Sequence, residues 1–239
     1  MKILNNHITQ FEFKQIKGSE WSNISTDSIF RNKKIVIFAL PGAFTPTCST
    51  SHLPRYDELY ETFKNEGIDE IYCLSVNDTF VMNAWFEDLD IKNIKTLPDG
   101  TGEFTRSLGM LVNKDDIGFG HRSWRYSMII NDGIIEKAFI EDEVDGDPFG
   151  VSDADTMLDY INPTAKTPIS HTLITREGCP HCSLAKKHLN SIGIKYSEIS
   201  KNKDGINSII LRGLTGNSTY PQLIIEGKVV GGSEDILKM

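Results

Sequence analysis

Twice along this chain an apolar segment rich in β-branched residues gives way to a cysteine and then to a helical pattern. Residues 35–40 (Ile-Val-Ile-Phe-Ala-Leu) lead to Cys48 and an amphipathic stretch, and residues 172–175 lead to Cys179-Pro180-His181-Cys182 and a second one. A strand that feeds a helix in this way is the building unit of layered α/β folds. It also sets each thiol near the unpaired amides of a helix start, which favour thiolate over thiol. Two thiol sites are therefore expected in one chain. A cysteine that becomes oxidised and a cysteine pair able to reduce it would form a complete cycle.

The 239 residues suffice for one large domain or two of moderate size. The break falls at Asn162-Pro163-Thr164-Ala165-Lys166-Thr167-Pro168, where two prolines and polar residues separate a helical-looking segment from a new apolar run. This is linker composition, and it predicts a domain over residues 1–162, a linker over 163–169 and a smaller domain over 170–239. Four cysteines are too few for a disulfide framework, so they read as chemistry or core filling in a reducing compartment. No run approaches the roughly 18 apolar residues of a membrane span, and Met1-Lys2-Ile3-Leu4-Asn5-Asn6-His7 lacks the apolar run of a secretory signal. The expected location is the cytoplasm, with no membrane partner.

Net charge is −8, unevenly spread: residues 1–165 hold 15 Lys and Arg against 27 Asp and Glu, whereas residues 166–239 hold 10 against 6. The two parts should attract each other at low salt. The acidic larger part argues against nucleic-acid binding, which needs a basic footprint.

In the first part, residues 34–40 and 71–76 read as buried strands, with an amphipathic helix over 51–64 carrying Leu53, Tyr56, Leu59, Tyr60 and Phe63 on one face. Residues 126–130 and 134–139 read as a hairpin around Asn131-Asp132-Gly133, and Ser152-Asp153 opens a last helix. The second part repeats the scheme in miniature. Strands are expected at 172–175, 195–199, 222–225 and 229–230, helices at 180–192 and 207–212, and a closing helix after Gly231-Gly232. The predicted class is α/β with mixed sheets.

Taken alone, Cys48 is as readily a small buried hydrophobe as a nucleophile. Its surroundings point further. Pro41-Gly42-Ala43-Phe44-Thr45-Pro46-Thr47-Cys48, with His52-Leu53-Pro54, residues 73–78, Ala84-Trp85, Leu97-Pro98-Asp99-Gly100 and Arg125-Tyr126-Ser127-Met128, resembles the peroxiredoxins, and within them the peroxiredoxin-5 branch, over nearly all of residues 1–162. The resemblance implies a thioredoxin-like fold. It also implies that Cys48 attacks hydrogen peroxide or an alkyl hydroperoxide, with Thr45 and Arg125 holding the two peroxide oxygens and Pro41 shielding the sulfenic acid. A guanidinium suits that role because it stabilises both the thiolate and the departing oxygen. Arg122 is the rival to Arg125. His52 lies one turn beyond Cys48 and reads as structural, since a thiolate needs no base. Residues 140–165 contain no cysteine to resolve the sulfenic acid, and Cys73, inside an apolar strand, reads as core.

Cys179-Pro180-His181-Cys182, Thr219-Tyr220-Pro221 and Gly231-Gly232-Ser233-Glu234-Asp235 are similar to the glutaredoxins over residues 170–239. A zinc site would need a second cysteine pair or paired histidines, which the sequence does not supply. Cys179 is expected at a helix start as an exposed thiolate, Cys182 one turn inside, and Pro221 in the cis form. The resemblance further implies a groove for glutathione, with the Tyr220 backbone pairing to its peptide, Arg176 meeting its glycine carboxylate, and the Ser233 and Glu234 amides meeting its γ-glutamyl carboxylate. The acidic run 141–147 fails as an EF-hand framed from Asp145, because Phe149 and Thr156 fall at ligand positions. It reads as a solvated loop, with docking of the basic domain as a further idea.

Together these readings predict a thiol peroxidase that acts through Cys48 and is regenerated by glutathione through Cys179, with Cys182 on a side route. No cofactor is bound tightly and no metal is needed. Glutathione is the reducing co-substrate, an NADPH-dependent glutathione reductase recycles it, and a homo-oligomer is expected. The alternatives are a thioredoxin-reduced peroxidase and a redox-signalling module that passes oxidation to partner proteins.

Overall fold

The computed structural model describes residue 3, residues 6–144 and residues 146–239, with Lys17 lacking a described side chain. Asp145, where the EF-hand frame starts, and Met1, Lys2, Leu4 and Asn5 of the N-terminal segment lie outside them. The chain forms two compact units, Met1–Thr167 and Pro168–Met239. Among the described residues no helix is long and apolar enough to cross a membrane.

The first unit opens with a hairpin of β1 (Glu12–Lys17) and β2 (Glu20–Ser25), followed by α1 (Thr26–Phe30), whose first turn is capped by Ser25. Its main sheet is built on β3 (Lys34–Ala39), which pairs in parallel with β4 (Glu70–Ser75). Every residue from Ile35 to Ala39 is fully buried. The continuous apolar run has a physical cause, because both faces of the strand are covered. Val36 and Phe38 enter one core with Cys48, Cys73 and Ile129, while Ile35, Ile37 and Ala39 enter the other with Phe13, Leu74 and Met128.

Between β3 and β4 the expected single helix is three pieces: a π-helical turn over Cys48–His52, α2 (Leu53–Glu58) and α3 (Tyr60–Asn65). Pro54 supplies the reason for the π turn. Lacking an amide, it cannot donate to the carbonyl four residues back, and the ladder opens by one residue so that Leu53 N bonds Cys48 O. After β4 come α4 (Thr79–Asp88), capped by Asp78, then β5 (Lys95–Pro98) and α5 (Glu103–Ser107). A small ribbon of β6 (Leu111–Asn113) and β7 (His121–Ser123) follows. The hairpin of β8 (Tyr126–Asn131) and β9 (Ile134–Ile140) forms as expected, and α6 (Ala154–Ile161), capped by Asp153, ends the unit. The sheet order is β5-β4-β3-β8-β9, with β8 antiparallel to β3.

The second unit contains β10 (His171–Thr175), α7 (Pro180–Ser191), β11 (Ser197–Ser200), α8 (Ser208–Thr215), β12 (Gln222–Ile225), β13 (Lys228–Gly231) and α9 (Ser233–Ile236). Its sheet order is β11-β10-β12-β13, parallel at the first junction and antiparallel at the others. Leu173, Ala185, Leu189, Leu223 and Ile236 form its small core. Both units are α/β with mixed sheets. In each, the end of a central strand delivers a cysteine to the start of a helical segment.

Candidate active sites

In the first unit β3 runs out into Leu40, Pro41 and Gly42, all buried. The loop beyond is fixed by Asn77, whose Oδ1 accepts from Ala43 N at 3.0 Å and from Ser75 Oγ at 2.8 Å. Phe44 has φ of 61°, a left-handed backbone at a non-glycine residue, and its side chain is exposed. Thr45 Oγ1 donates to Gly42 O at 2.9 Å and Thr45 O accepts from Ser49 N at 3.0 Å, which sets the first turn around Cys48. Trp85 Nε1 donates to Ser49 Oγ at 2.9 Å, anchoring the residue that follows the thiol. Cys48 itself is wholly buried.

The expectation that helix-start amides face this sulfur needs correction. The Ser49 amide is spent on Thr45, and the hydrogen bond to Cys48 Sγ comes from Arg125 Nη2 at 3.5 Å. Arg125 is 1% exposed and immediately precedes β8. Its Nη1 donates to His52 Nδ1 at 3.0 Å, its Nε donates to Asp147 at 3.2 Å, Nη2 also meets Asp147, and the Phe149 ring lies 5.4 Å away. His52 Nε2 faces Ser152 O at 3.1 Å. A carbonyl only accepts, so Nε2 carries the hydrogen and Nδ1 is the lone pair that receives Arg125. Burial and the neighbouring guanidinium push the His52 pKa down to about 3, against the Ser152 carbonyl. His52 thus stays neutral and orients the arginine. Burial works against the charge on Arg125 too, but Asp147 and Cys48 outweigh it and hold its pKa up.

The rival Arg122 donates to Val76 O at 3.1 Å and to Phe119 O at 3.0 Å, tying two loops together. Cys73 pairs with Phe38 across the sheet, and burial, with Cys48 nearby, raises its pKa well above the ordinary thiol value despite Arg125. The acidic run is a solvated loop at Asp142, Glu143 and Asp147, as expected, but not at its start. Glu141 is buried and accepts from the amides of Gly150, Val151 and Ser152 at 2.8–3.0 Å and from Ser152 Oγ at 2.7 Å. Asp147 reaches the arginine. Sequence reasoning placed His52 beside Cys48 as a structural group but missed its bond to Arg125, and it missed Asp147 and Glu141 as parts of this site, because contacts across 73 and 22 residues of chain leave no local pattern.

In the second unit Cys179 caps α7, its Sγ accepting from Cys182 N at 3.3 Å. Burial opposes its ionisation, but the Cys182 thiol, the Cys182 amide and Arg176 outweigh that, and its pKa lies below the usual thiol value. Cys182 is pushed up to about 11 by burial and by its Cys179 neighbour. The pair is split as a nucleophile and a held donor. Cys179 is 5% exposed rather than open to solvent as expected, yet it borders a groove of about 740 Å³. Arg176, Lys201, Tyr220, Ser233 and Glu234 line the same groove. The Tyr220–Pro221 bond is cis, Pro221 is buried, and the Tyr220 carbonyl lies 3.8 Å from Cys179 Sγ. Gly231 has φ of 138°, and a Cβ there would collide with the Asp235 carboxylate, which accepts from Gly232 N at 3.0 Å. That close approach requires glycine. Lys201 was not foreseen, since one lysine in a basic domain carries no signal.

Comparison with known proteins places the two units in two families. The redoxin family profile matches residues 5–158 and the glutaredoxin profile residues 172–230. The chain is 50% identical over 231 residues, 97% of its length and 95% of the relative's, to hybrid peroxiredoxin hyPrx5 of Haemophilus influenzae. It is 59% identical over 145 residues to a peroxiredoxin of Synechocystis, covering 59% of this chain and 77% of that one. Among solved structures, a peroxiredoxin crystal structure superposes with a TM-score of 0.63 at 36% identity, covering 67% of this chain and 98% of that one. Reduced Prx3 of Vibrio vulnificus in complex with hydrogen peroxide superposes with a TM-score of 0.60 at 38% identity, covering 67% and 96%. The arginine-held thiol of the first unit and the Cys-Pro-His-Cys groove of the second therefore sit in a member of the redoxin family, a peroxiredoxin joined to a glutaredoxin domain.

Proposed function

We propose that this thiol peroxidase draws its electrons from glutathione through its own second domain. The observation that carries the reading is the Arg125–Cys48 contact in a chain that also holds a low-pKa Cys179 beside a peptide-sized groove.

The Cys48 thiolate attacks one oxygen of hydrogen peroxide or an alkyl hydroperoxide. The O–O bond breaks, water or an alcohol leaves, and Cys48 becomes a sulfenic acid. Arg125, with Nη2 on the sulfur, stabilises negative charge as it moves from sulfur to the departing oxygen. Thr45 and Pro41 sit on the same short loop and complete the walls in this reading. Glutathione then condenses with the sulfenic acid, releasing water and leaving a mixed disulfide on Cys48. The Cys179 thiolate attacks the glutathione sulfur, which frees Cys48, and a second glutathione takes the first off Cys179 as oxidised glutathione.

Arg176 at the groove supports capture of a glutathione carboxylate, the Tyr220 backbone supports pairing with its peptide, and the first-turn amides of Ser233 and Glu234 support a second carboxylate. With this reading go a cytoplasmic homo-oligomer and the domain limits 1–162 and 170–239. The hydrogen peroxide complex of the Vibrio vulnificus relative supports hydrogen peroxide as a substrate.

The test is NADPH consumption by the purified chain with hydrogen peroxide, glutathione and glutathione reductase, and no other thiol carrier. Turnover lost in both Cys48→Ser and Cys179→Ser is expected. Turnover that appears only when thioredoxin and its reductase are added would overturn the glutathione coupling.

A further inference from the structure

The loop between β9 and α6 reaches into the Cys48 site by a contact that the peroxidase reading does not use. A buried guanidinium on a long side chain can present several edges to a thiol, and only some aim an N–H at the sulfur. Here its plane is fixed from two sides. Asp147 takes Nε and Nη2 along one edge and His52 takes Nη1, which leaves Nη2 shared between Asp147 and Cys48. Among the described residues, His52 from the π-helical turn, Cys73 from β4, and Asp147 and Phe149 from the loop face this arginine and thiol. Asp147 is a carboxylate among them. Its own side chain is 37% exposed although Arg125 is 1% exposed, so it approaches from the surface. The loop is pinned just beyond it, where the buried Glu141 carboxylate gathers the amides of Gly150, Val151 and Ser152.

Asp147 orients Arg125 for the charge that develops on the leaving oxygen. We propose that Asp147 is a positioning residue for peroxide reduction, holding the guanidinium plane toward Cys48 and the departing oxygen. The inference rests on Cys48 being the peroxide-reacting thiol.

The test uses the full chain carrying Cys179→Ser and Cys182→Ser. It measures the peroxide reaction by competition with horseradish peroxidase, and alkylation of Cys48 by iodoacetamide at fixed pH by mass spectrometry. In Asp147→Asn the peroxide rate is expected to fall about tenfold or more, equivalent to about 1.4 kcal/mol, while alkylation stays level. Asp147→Glu should recover to within about threefold of the parent, and in an Arg125→Lys background Asp147→Asn should cost less than about twofold, since no planar edge remains to be held. Should Asp147→Asn unfold, Asp147→Ser carries the same two expectations. An unchanged peroxide rate, an equal fall in both reactions, or full additivity with Arg125→Lys would overturn the proposal. Peroxide reaction persisting in Cys48→Ser would instead overturn the peroxidase reading beneath it.

Discussion

The two thiol sites start from the same local design and reach opposite solutions. Each follows a central strand and opens a helical segment, yet Cys48 is wholly buried against a guanidinium, while Cys179 borders a broad polar groove. The first sulfur is polarised by one long-range side chain held by other long-range side chains. The second is polarised mainly by its own neighbours, the thiol and amide of Cys182, with Arg176 close in sequence. The difference matches the sizes of the two substrates proposed for them. A peroxide, the smaller, falls to the buried thiol, where exclusion of water strengthens every charge interaction. A tripeptide thiol, the proposed reductant, needs an open surface with backbone to pair against.

The comparison is broken most forcefully at its two arginines. Arg125→Gln removes the donor to Cys48 and leaves His52 and Asp147 without their partner. The second-order rate with hydrogen peroxide is expected to fall about 10²–10³-fold, the scale of losing one preorganised donor to a developing oxyanion. Arg176→Gln should leave that single-turnover rate intact and slow only glutathione-dependent turnover, by about tenfold for one charge-assisted contact. Stopped-flow oxidation and the coupled NADPH assay, run on both variants, read the two effects separately. Equal losses in both assays for either variant would erase the division of labour.

A second consequence of the enclosed site is a stability that depends on pH in the acid range. His52 is neutral in the fold, with a pKa near 3, and protonates below about 6.5 once unfolded. The unfolded state therefore binds more protons between those values. The contribution of His52 is fully present above pH 6.5 and is lost as pH falls toward 3, at about 1.4 kcal/mol per unit. All three tryptophans, Trp21, Trp85 and Trp124, lie in the first unit, so their fluorescence in urea titrations reads that unit. Between pH 6.5 and 5.0, His52→Gln should lose about 2 kcal/mol less than the parent. An identical pH slope in the two proteins would mean that His52 is not held neutral.

The same contrast explains what the sequence could tell. The second site is written locally: Cys179, Cys182 and Arg176 fall within seven residues, and its groove strands carry the expected pattern. For the first, residues 34–40 were legible as a strand because a segment covered on both faces must be apolar throughout. The motif around Cys48 was legible as well, and so was Arg125 through the Arg-Tyr-Ser-Met strand. What holds Arg125 was not. The bond from Arg125 to His52, the reach of Asp147 and the burial of Glu141 depend on how a loop folds back over the sheet. An acidic run reads as solvated until the donors that neutralise it are seen. The stretch expected as one helix over 51–64 is helical nearly throughout, but a π turn before Pro54 and a break at Leu59 divide it, and the periodicity of its apolar face concealed both.

The smallest expected effect sharpens the comparison at Cys182. In the proposed cycle, Cys179 that carries glutathione can be freed by Cys182 or by a second glutathione. With a pKa of about 11, the Cys182 thiol is almost entirely protonated at neutral pH. A free cysteine thiol near 8.5 offers far more thiolate, and exchange is fastest when the attacking thiol's pKa lies near ambient pH. Glutathione should therefore win at millimolar concentration. Cys182→Ser keeps the amide that bonds Cys179 Sγ and retains a hydroxyl donor in place of the thiol, so the stabilisation of Cys179 survives largely intact. Peroxidase turnover with glutathione is expected to stay within about threefold of the parent, less than the loss of one charged hydrogen bond. A near-total loss in the coupled assay would show that the buried partner attacks after all, and that the open site, like the enclosed one, depends on a group hidden from solvent.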